Sequence, residues 1–169
     1  MINCCFTGLR PQKLNFTEGD TMYYEIMQKW ERYIIQLIER YGVNYFISGM
    51  ALGWDTWCAE EILKLKNVYN IKLECAVPCI GQDKFWSKTD KQRYKKILKS
   101  ANYINVLQKC YSNDCMINRN HYMVDKSLYV LALWDSQQGG TADTIQYAIK
   151  QKRRIIVINP ITKESTFYQ

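Results

Sequence analysis

Leu131-Ala132-Leu133-Trp134-Asp135-Ser136-Gln137-Gln138-Gly139-Gly140-Thr141-Ala142-Asp143-Thr144 decides how this chain is read. An apolar run ends, a polar loop follows, and two glycines open a helical segment. Paired glycines let backbone N–H groups approach a ligand closely. A helix N-terminus adds partial positive charge. Strand, glycine loop and helix in that order make a phosphate cradle, and they point to an α/β protein that binds a nucleotide or another phosphorylated small molecule.

The same alternation runs outward in both directions. Short apolar runs at Asn3–Thr7, Val43–Ile47, Ile71–Val77, Tyr103–Leu107, Leu128–Trp134 and Arg154–Ile158 predict strands, the last closing before Pro160. Helical periodicity appears at Asp20–Tyr41, with Gly42 as its stop, and at Trp54–Lys66, Lys88–Ser100 and Thr141–Gln151. Ser112–Asn118 reads as a polar loop, and Arg119–Lys126 as one or two helical turns. No internal repeat or low-complexity linker divides the chain, so residues 1–169 are expected to form one domain. Alternating strands and helices predict a mostly parallel sheet with helices on both faces, a Rossmann-like α/β domain.

In such sheets ligands bind outside the carboxyl ends of the strands. Four segments fall there: Thr7-Gly8 with Arg10, Ser48-Gly49 through Gly53 and Asp55, Pro78 through Trp86, and Gly139-Gly140. Arg10 offers a fork of donors for phosphate. Asp55 has two readings, support for the N-terminus of its own helix or acceptance of a hydrogen bond from a ribose hydroxyl. In the third segment Gln82 is a polar candidate, and Trp86 or Phe85 could stack on a base, although such an aromatic pair is more often core. Arg119-Asn120 places an arginine at an expected helix start, where the macrodipole disfavours it, and a nearby anion would account for that. Thr141 and Thr144 add hydroxyls beside the glycine amides.

Bulk properties narrow the class. Hydrophobic residues make up 47% and charged residues 23%, as in a globular protein. No apolar stretch approaches the ~20 residues of a membrane span. The first residues lack the basic and apolar regions of a signal peptide, so a cytoplasmic location is expected, in the host if the chain is phage-encoded. The 7 cysteines and single histidine lack zinc-ligand spacing, so buried thiols in a reducing compartment are expected, with no metal and no cofactor. A net charge of +7 favours anionic partners. The one local cluster, Lys88 to Lys99, has helical spacing and reads as a solvated face.

Taken together, Cys4-Cys5-Phe6-Thr7-Gly8 with Arg10-Pro11, Ser48 to Gly53 with Asp55, Pro78 with Gln82 and Trp86, Arg119-Asn120 with Met123-Val124-Asp125, and Gly139-Gly140-Thr141 with Thr144 and Tyr147-Ala148 form an ordered set. The chain resembles the YpsA/YoqJ-like family of the SLOG superfamily, which joins DprA-type and LOG-type Rossmann-like domains. The resemblance implies a nucleotide site in the strand-end crevice. LOG-type enzymes cleave nucleotide N-glycosidic bonds with an arginine, Gly-Gly-x-Gly-Thr and a glutamate three residues on. Here Arg119, Gly139 and Gly140 match that pattern, whereas Ala142-Asp143 replace Gly-Thr and Gln146 replaces the glutamate. Gln146 carries no charge to stabilise a developing sugar cation and is no base.

The leading expectation is therefore a binder of a nucleotide derivative, ADP-ribose-like or cyclic, that senses or sequesters a signal, by analogy with bacterial defence or phage counter-defence. One alternative is a nucleotide N-glycosidase or phosphoribohydrolase, with Asp55 and Asp143 as candidate carboxylates. Another is DprA-like single-stranded DNA binding, the less expected partner. Related SLOG proteins are often oligomers, which implies self-association.

Overall fold

Every apolar run named above pairs into one sheet. The computed structural model describes residues 2–169. The strands are β1 (Ile2–Gly8), β2 (Val43–Ser48), β3 (Lys72–Val77), β4 (Tyr103–Val106), β5 (Tyr129–Leu133), β6 (Arg154–Ile158) and β7 (Ser165–Tyr168). The helices are α1 (Thr21–Tyr41), α2 (Trp54–Leu65), α3 (Lys88–Ser100), α4 (Cys115–Asp125) and α5 (Gly140–Lys150), with a single 3-10 turn at Pro11–Lys13. The sheet order is β4-β3-β2-β1-β5-β6-β7, parallel except for the final β6–β7 pair.

Both faces of the sheet are covered, as a parallel sheet requires. Successive side chains of a strand point to opposite faces, and β1 uses this directly. Phe6 packs with Trp30, Phe46 and Trp54 under α1 and α2, while Cys5 packs with Met123, Val130, Ile145 and Ala148 under α4 and α5. Burying such side chains contributes about 1.5–3 kcal/mol for each large one. In α1 the buried Ile26, Trp30, Ile34 and Leu37 recur at helical spacing, and Gly42 ends the helix at φ 67, a left-handed cap that glycine adopts without strain. Six cysteines are buried and Cys110 is exposed.

Two expectations are corrected. The polar stretch Ser112–Asn118 is not all loop, because α4 begins at Cys115 and Arg119 lies within the helix rather than at its start. Buried Cys115, Arg119 and Met123 recur every four residues. The stripe was hidden because one member is an arginine whose compensating charge lies far away in sequence. The chain also does not end its sheet at β6. Asn159 Oδ1 accepts from the Ile161 and Thr162 amides at 2.8 and 3.1 Å, reversing the chain just after Pro160 so that β7 can return antiparallel.

A candidate anion crevice at the strand ends

The strand order reverses at β1. From β1 the chain winds outward through β2, β3 and β4, then crosses back to place β5 on the other side of β1. The segments that leave the paired carboxyl ends of β1 and β5 run to helices on opposite faces of the sheet, and a crevice opens between them, as expected at a topological switch point. Its wall combines Thr7, Gly8, Leu9, Arg10 and Lys13 after β1, Ala51 and Asp55 after β2, Met116, Arg119 and Asn120 from α4, and Gln137 through Thr141 before and at the start of α5.

Gly139 caps α5 at φ 139, and the first amide to close on a helical carbonyl is that of Asp143, on Gly139. A helix leaves its earlier N–H groups without an intrahelical acceptor, and Gly139, Gly140 and Thr141 border the crevice. A Cβ at Gly140 would meet nothing within 4 Å, whereas one at Gly139 would stand 3.1 Å from the Lys13 ammonium. A lysine over a helix N-terminus opposes the macrodipole, as an arrangement built around an intervening anion would. Neither Arg10 nor Lys13 forms a salt bridge among the described residues. The buried Thr7 and Thr141 likewise have hydroxyls without a hydrogen-bond partner among the described residues.

The floor is an ion pair. Arg119 and Asp55 are 4% and 5% exposed, so both charges are removed from water. Arg119 Nη1 lies 3.6 Å from Asp55 Oδ2, too long for a hydrogen bond, and donates instead to the Gly49 carbonyl. Arg119 Nε donates to Asn120 Oδ1 at 2.8 Å, and Asn120 Nδ2 donates to Thr144 Oγ1 at 2.8 Å. Thr144 then donates to the Gly140 carbonyl at 2.7 Å. This chain of contacts ties the start of α5 to α4 and to the loop after β2. Burial pushes the Asp55 carboxyl above its ordinary range, opposed by Arg119, the Ala51 amide and Arg10. Burial likewise pulls Arg119 down, Asp55 pulls it back up, and Arg10 repels it. Like charges at Arg10 and Arg119 thus face one crevice.

The loop between β2 and α2 leads into Asp55, in the first turn of α2. Met50 is buried at φ 58, a left-handed conformation uncommon for a non-glycine residue, and Ser136 in the loop before Gly139 has φ 69. Ser48 Oγ accepts from the Met50 amide at 3.2 Å and donates to the Asp55 carbonyl at 2.7 Å. Gly53, at φ 87, has room for no Cβ against Pro11.

Of the residues singled out from sequence, Thr7, Gly8, Arg10, Asp55, Arg119, Asn120, Gly139, Gly140 and Thr141 border the crevice. Ser48, Gly49, Gly53 and Thr144 stand behind its wall in the supporting contacts just described. The third segment does not reach it, because β3 is separated from β1 by β2. Pro78 is buried, Gln82 donates to the Met50 carbonyl at 2.9 Å, and Trp86 packs edge-on against Tyr94 with centroids 5.3 Å apart. Asp143 and Gln146 are exposed, and neither borders the crevice. The sequence reading missed Lys13, Met116, Gln137 and Gln138, along with Leu9 and Ala51. Only Lys13 left a signal, a basic residue three positions after Arg10.

The geometry can be set beside known proteins. A family model described as the YspA SLOG family (YpsA) matches residues 4–163. The chain belongs to this family. Relatives include a UPF0398 protein of Halalkalibacterium halodurans, 27% identical over 152 residues that cover 88% of this chain and 80% of the relative. A UPF0398 protein of Bacillus thuringiensis is 26% identical over 152 residues, 88% of this chain and 83% of the relative. Among solved structures, DNA processing protein A (DprA) of Streptococcus pneumoniae superposes with a TM-score of 0.62 at 16% identity, covering 92% of this chain. The chain spans 50% of that DprA chain. DprA of Helicobacter pylori, described with a single-stranded DNA binding mode, gives 0.62 at 17% identity over 92% of this chain and 64% of its own. At these identities the likeness is one of fold, and it agrees with the Rossmann-like domain read from the sequence. No helix among the described residues is long and apolar enough to cross a membrane.

Proposed function

We propose that this SLOG domain binds a nucleotide derivative with a phosphate in the β1–β5 crevice, and holds it without cutting it. One observation carries the reading. Arg10, Lys13 and Arg119 surround a crevice bordered by a single carboxylate, Asp55, and they face the open Gly140 at the start of α5. Cationic groups that repel one another around unpaired amides are relieved by an anion. Asp55, beside Ala51, lies where a ribose hydroxyl could donate to it. A phosphate with an attached ribose suits an ADP-ribose-like or cyclic nucleotide, held for sensing or sequestration of a signal.

The placement of the carboxylates supports retention over hydrolysis. Cleaving a glycosidic bond needs a base or a charge beside the sugar. Asp143 and Gln146 do not border the crevice, and the one carboxylate that does, Asp55, is buried beside the Arg119 guanidinium. The test is to incubate the purified protein with AMP, ADP-ribose and a cyclic dinucleotide, then release and weigh the bound molecules by mass spectrometry. Intact recovery of at least one is expected. Conversion of every bound candidate to free base and sugar phosphate would overturn retention, and failure to retain any would overturn the site.

A further inference from the structure

A second cavity lies at the opposite end of the sheet from the crevice. It opens between α1 and the amino ends of β5 and β6, where Tyr129 and Arg154 begin their strands, and residues of the edge strand β7 complete its lining. Strand register sets one wall. Tyr129 stands opposite Arg154, and Ile156 opposite Phe167. Arg154 and Ile156, two apart on β6, point to one face of the sheet. Tyr33, Leu37 and Tyr41 recur every four residues on α1 and so share one side of that helix. Tyr33 meets the Phe167 ring edge-on, with centroids 5.8 Å apart, and Tyr41 meets Tyr129 at 5.9 Å. Tyr33 and Tyr41 are about 12 Å apart along the helix. Between these two aromatic pairs the buried Leu37 and Ile156 supply an apolar floor.

The cavity measures about 140 Å³, close to the ~150 Å³ that accepts a benzene ring in an apolar protein interior. Tyr41 and Phe167 keep exposed ring surface beside it, area that a bound ring would cover. Aromatic walls over an aliphatic floor suit one planar ring. A single charge lines the same cavity. Arg154 is exposed and forms no salt bridge among the described residues. Its guanidinium carbon lies 5.7 Å from the Tyr129 ring centre, and Nη1 donates to Tyr129 Oη at 2.9 Å. No other guanidinium hydrogen bond is made among the described residues, which leaves donors for a carboxylate. We infer that this cavity is a binding site for a small aromatic carboxylate, with its ring between the two aromatic pairs and its carboxylate on Arg154. The arginine disfavours an aromatic amine. Helix α1 ends at Tyr41, and the partial negative charge of its carbonyl end disfavours a multiply charged phosphate. A single carboxylate meets both conditions.

This inference does not rest on the crevice, and its test keeps the two sites apart. Line broadening in fluorine NMR is followed as the whole chain is added to para-fluorobenzoate, para-fluorobenzyl alcohol or para-fluorobenzylamine. Saturable binding of the benzoate in the millimolar range is expected, as suits so few contacting atoms. The alcohol should bind roughly fivefold more weakly, and the amine more weakly still. Arg154→Gln should weaken the benzoate about tenfold and leave the alcohol nearly unchanged. Phe167→Ala should weaken both severalfold. Both variants should keep the wild-type circular dichroism spectrum, and added ADP-ribose should leave benzoate binding as it is. Equal binding of benzoate and alcohol, a preference for the amine, or unchanged benzoate binding by Arg154→Gln would overturn the site. So would absence of binding at millimolar concentration, or displacement of the benzoate by ADP-ribose. A solution dimer that Phe167→Ala dissociates would give the cavity to a second copy of the chain and overturn the site as well.

Discussion

Gly8 ends β1 and Gly140 opens α5 at the same edge of the sheet, yet they are glycines for different reasons. A Cβ at Gly8 would stand 2.4–2.7 Å from the Trp54 side chain, and one at Gly49 would stand 2.0 Å from Arg119 Nη1. At both positions the protein itself fills the space. At Gly140 the space is open. A glycine after a strand is therefore not in itself a mark of ligand binding. The informative one is the glycine whose missing side chain leaves room that no protein atom takes.

That contrast can be broken by mutation. The largest expected effect is at the ion pair that fills the space beside Gly49. Arg119→Met should cost about 3–5 kcal/mol in urea unfolding, because it leaves Asp55 buried without its partner. Adding Asp55→Asn should restore part of that loss, and a double variant no more stable than Arg119→Met would mean the pair is not what fills the site. Next, Gly8→Ala should cost about 1–3 kcal/mol, since Trp54 meets it close to the backbone of α2 and cannot turn away. Gly140→Ala should behave oppositely. Its stability should change by less than about 1 kcal/mol, and in the favourable direction if the helix propensity of alanine prevails, while nucleotide retention falls at least tenfold. Destabilisation of Gly140→Ala equal to that of Gly8→Ala would erase the distinction.

The smallest effect concerns pH, where the buried and exposed arginine–carboxylate pairs should differ in sign. Arg93 hydrogen bonds hold Glu18 below its ordinary value, despite some burial. A lowered folded value gives stability that is present above the unfolded value and lost as pH falls through the folded one. Glu18 is partly exposed, so its share is at most about 1 kcal/mol. Asp55 is raised by burial, so the folded protein holds its proton more tightly than the unfolded chain does. Its contribution therefore falls as pH rises from the unfolded to the folded value. Carboxyl-carbon NMR titration should place the Asp55 midpoint above, and the Glu18 midpoint below, those of exposed carboxylates. Asp55 titrating below the ordinary range would mean that Arg119 outweighs burial.

What could be read from sequence follows the same physics. Strands buried on both faces are uninterrupted apolar runs such as Leu131-Ala132-Leu133, so the sheet and its glycine loops were legible. The start of α4 was not, because its buried stripe includes Arg119, whose partner Asp55 lies on another element. The β7 strand Ser165-Thr166-Phe167-Tyr168 is a short edge with little apolar signal. Half of the crevice was legible from residues flanking strand ends. Lys13, Met116, Gln137 and Gln138 were not, since a 3-10 turn, a helix face and a polar loop bring them together only in three dimensions. Residue type alone left Trp86 open to stacking on a base or to the core, and the edge-on contact with Tyr94 gives it the packing role.

On the proposed reading, a nucleotide phosphate sits at the open glycine at the start of α5. A ¹H–¹⁵N correlation titration of the whole chain with ADP-ribose tests it most directly. Saturable shifts are expected at the Gly139, Gly140 and Thr141 amides and at Arg10 and Lys13, abolished in Gly140→Ala. Saturable binding that leaves those amides unmoved, or that persists unchanged in Gly140→Ala, would contradict it.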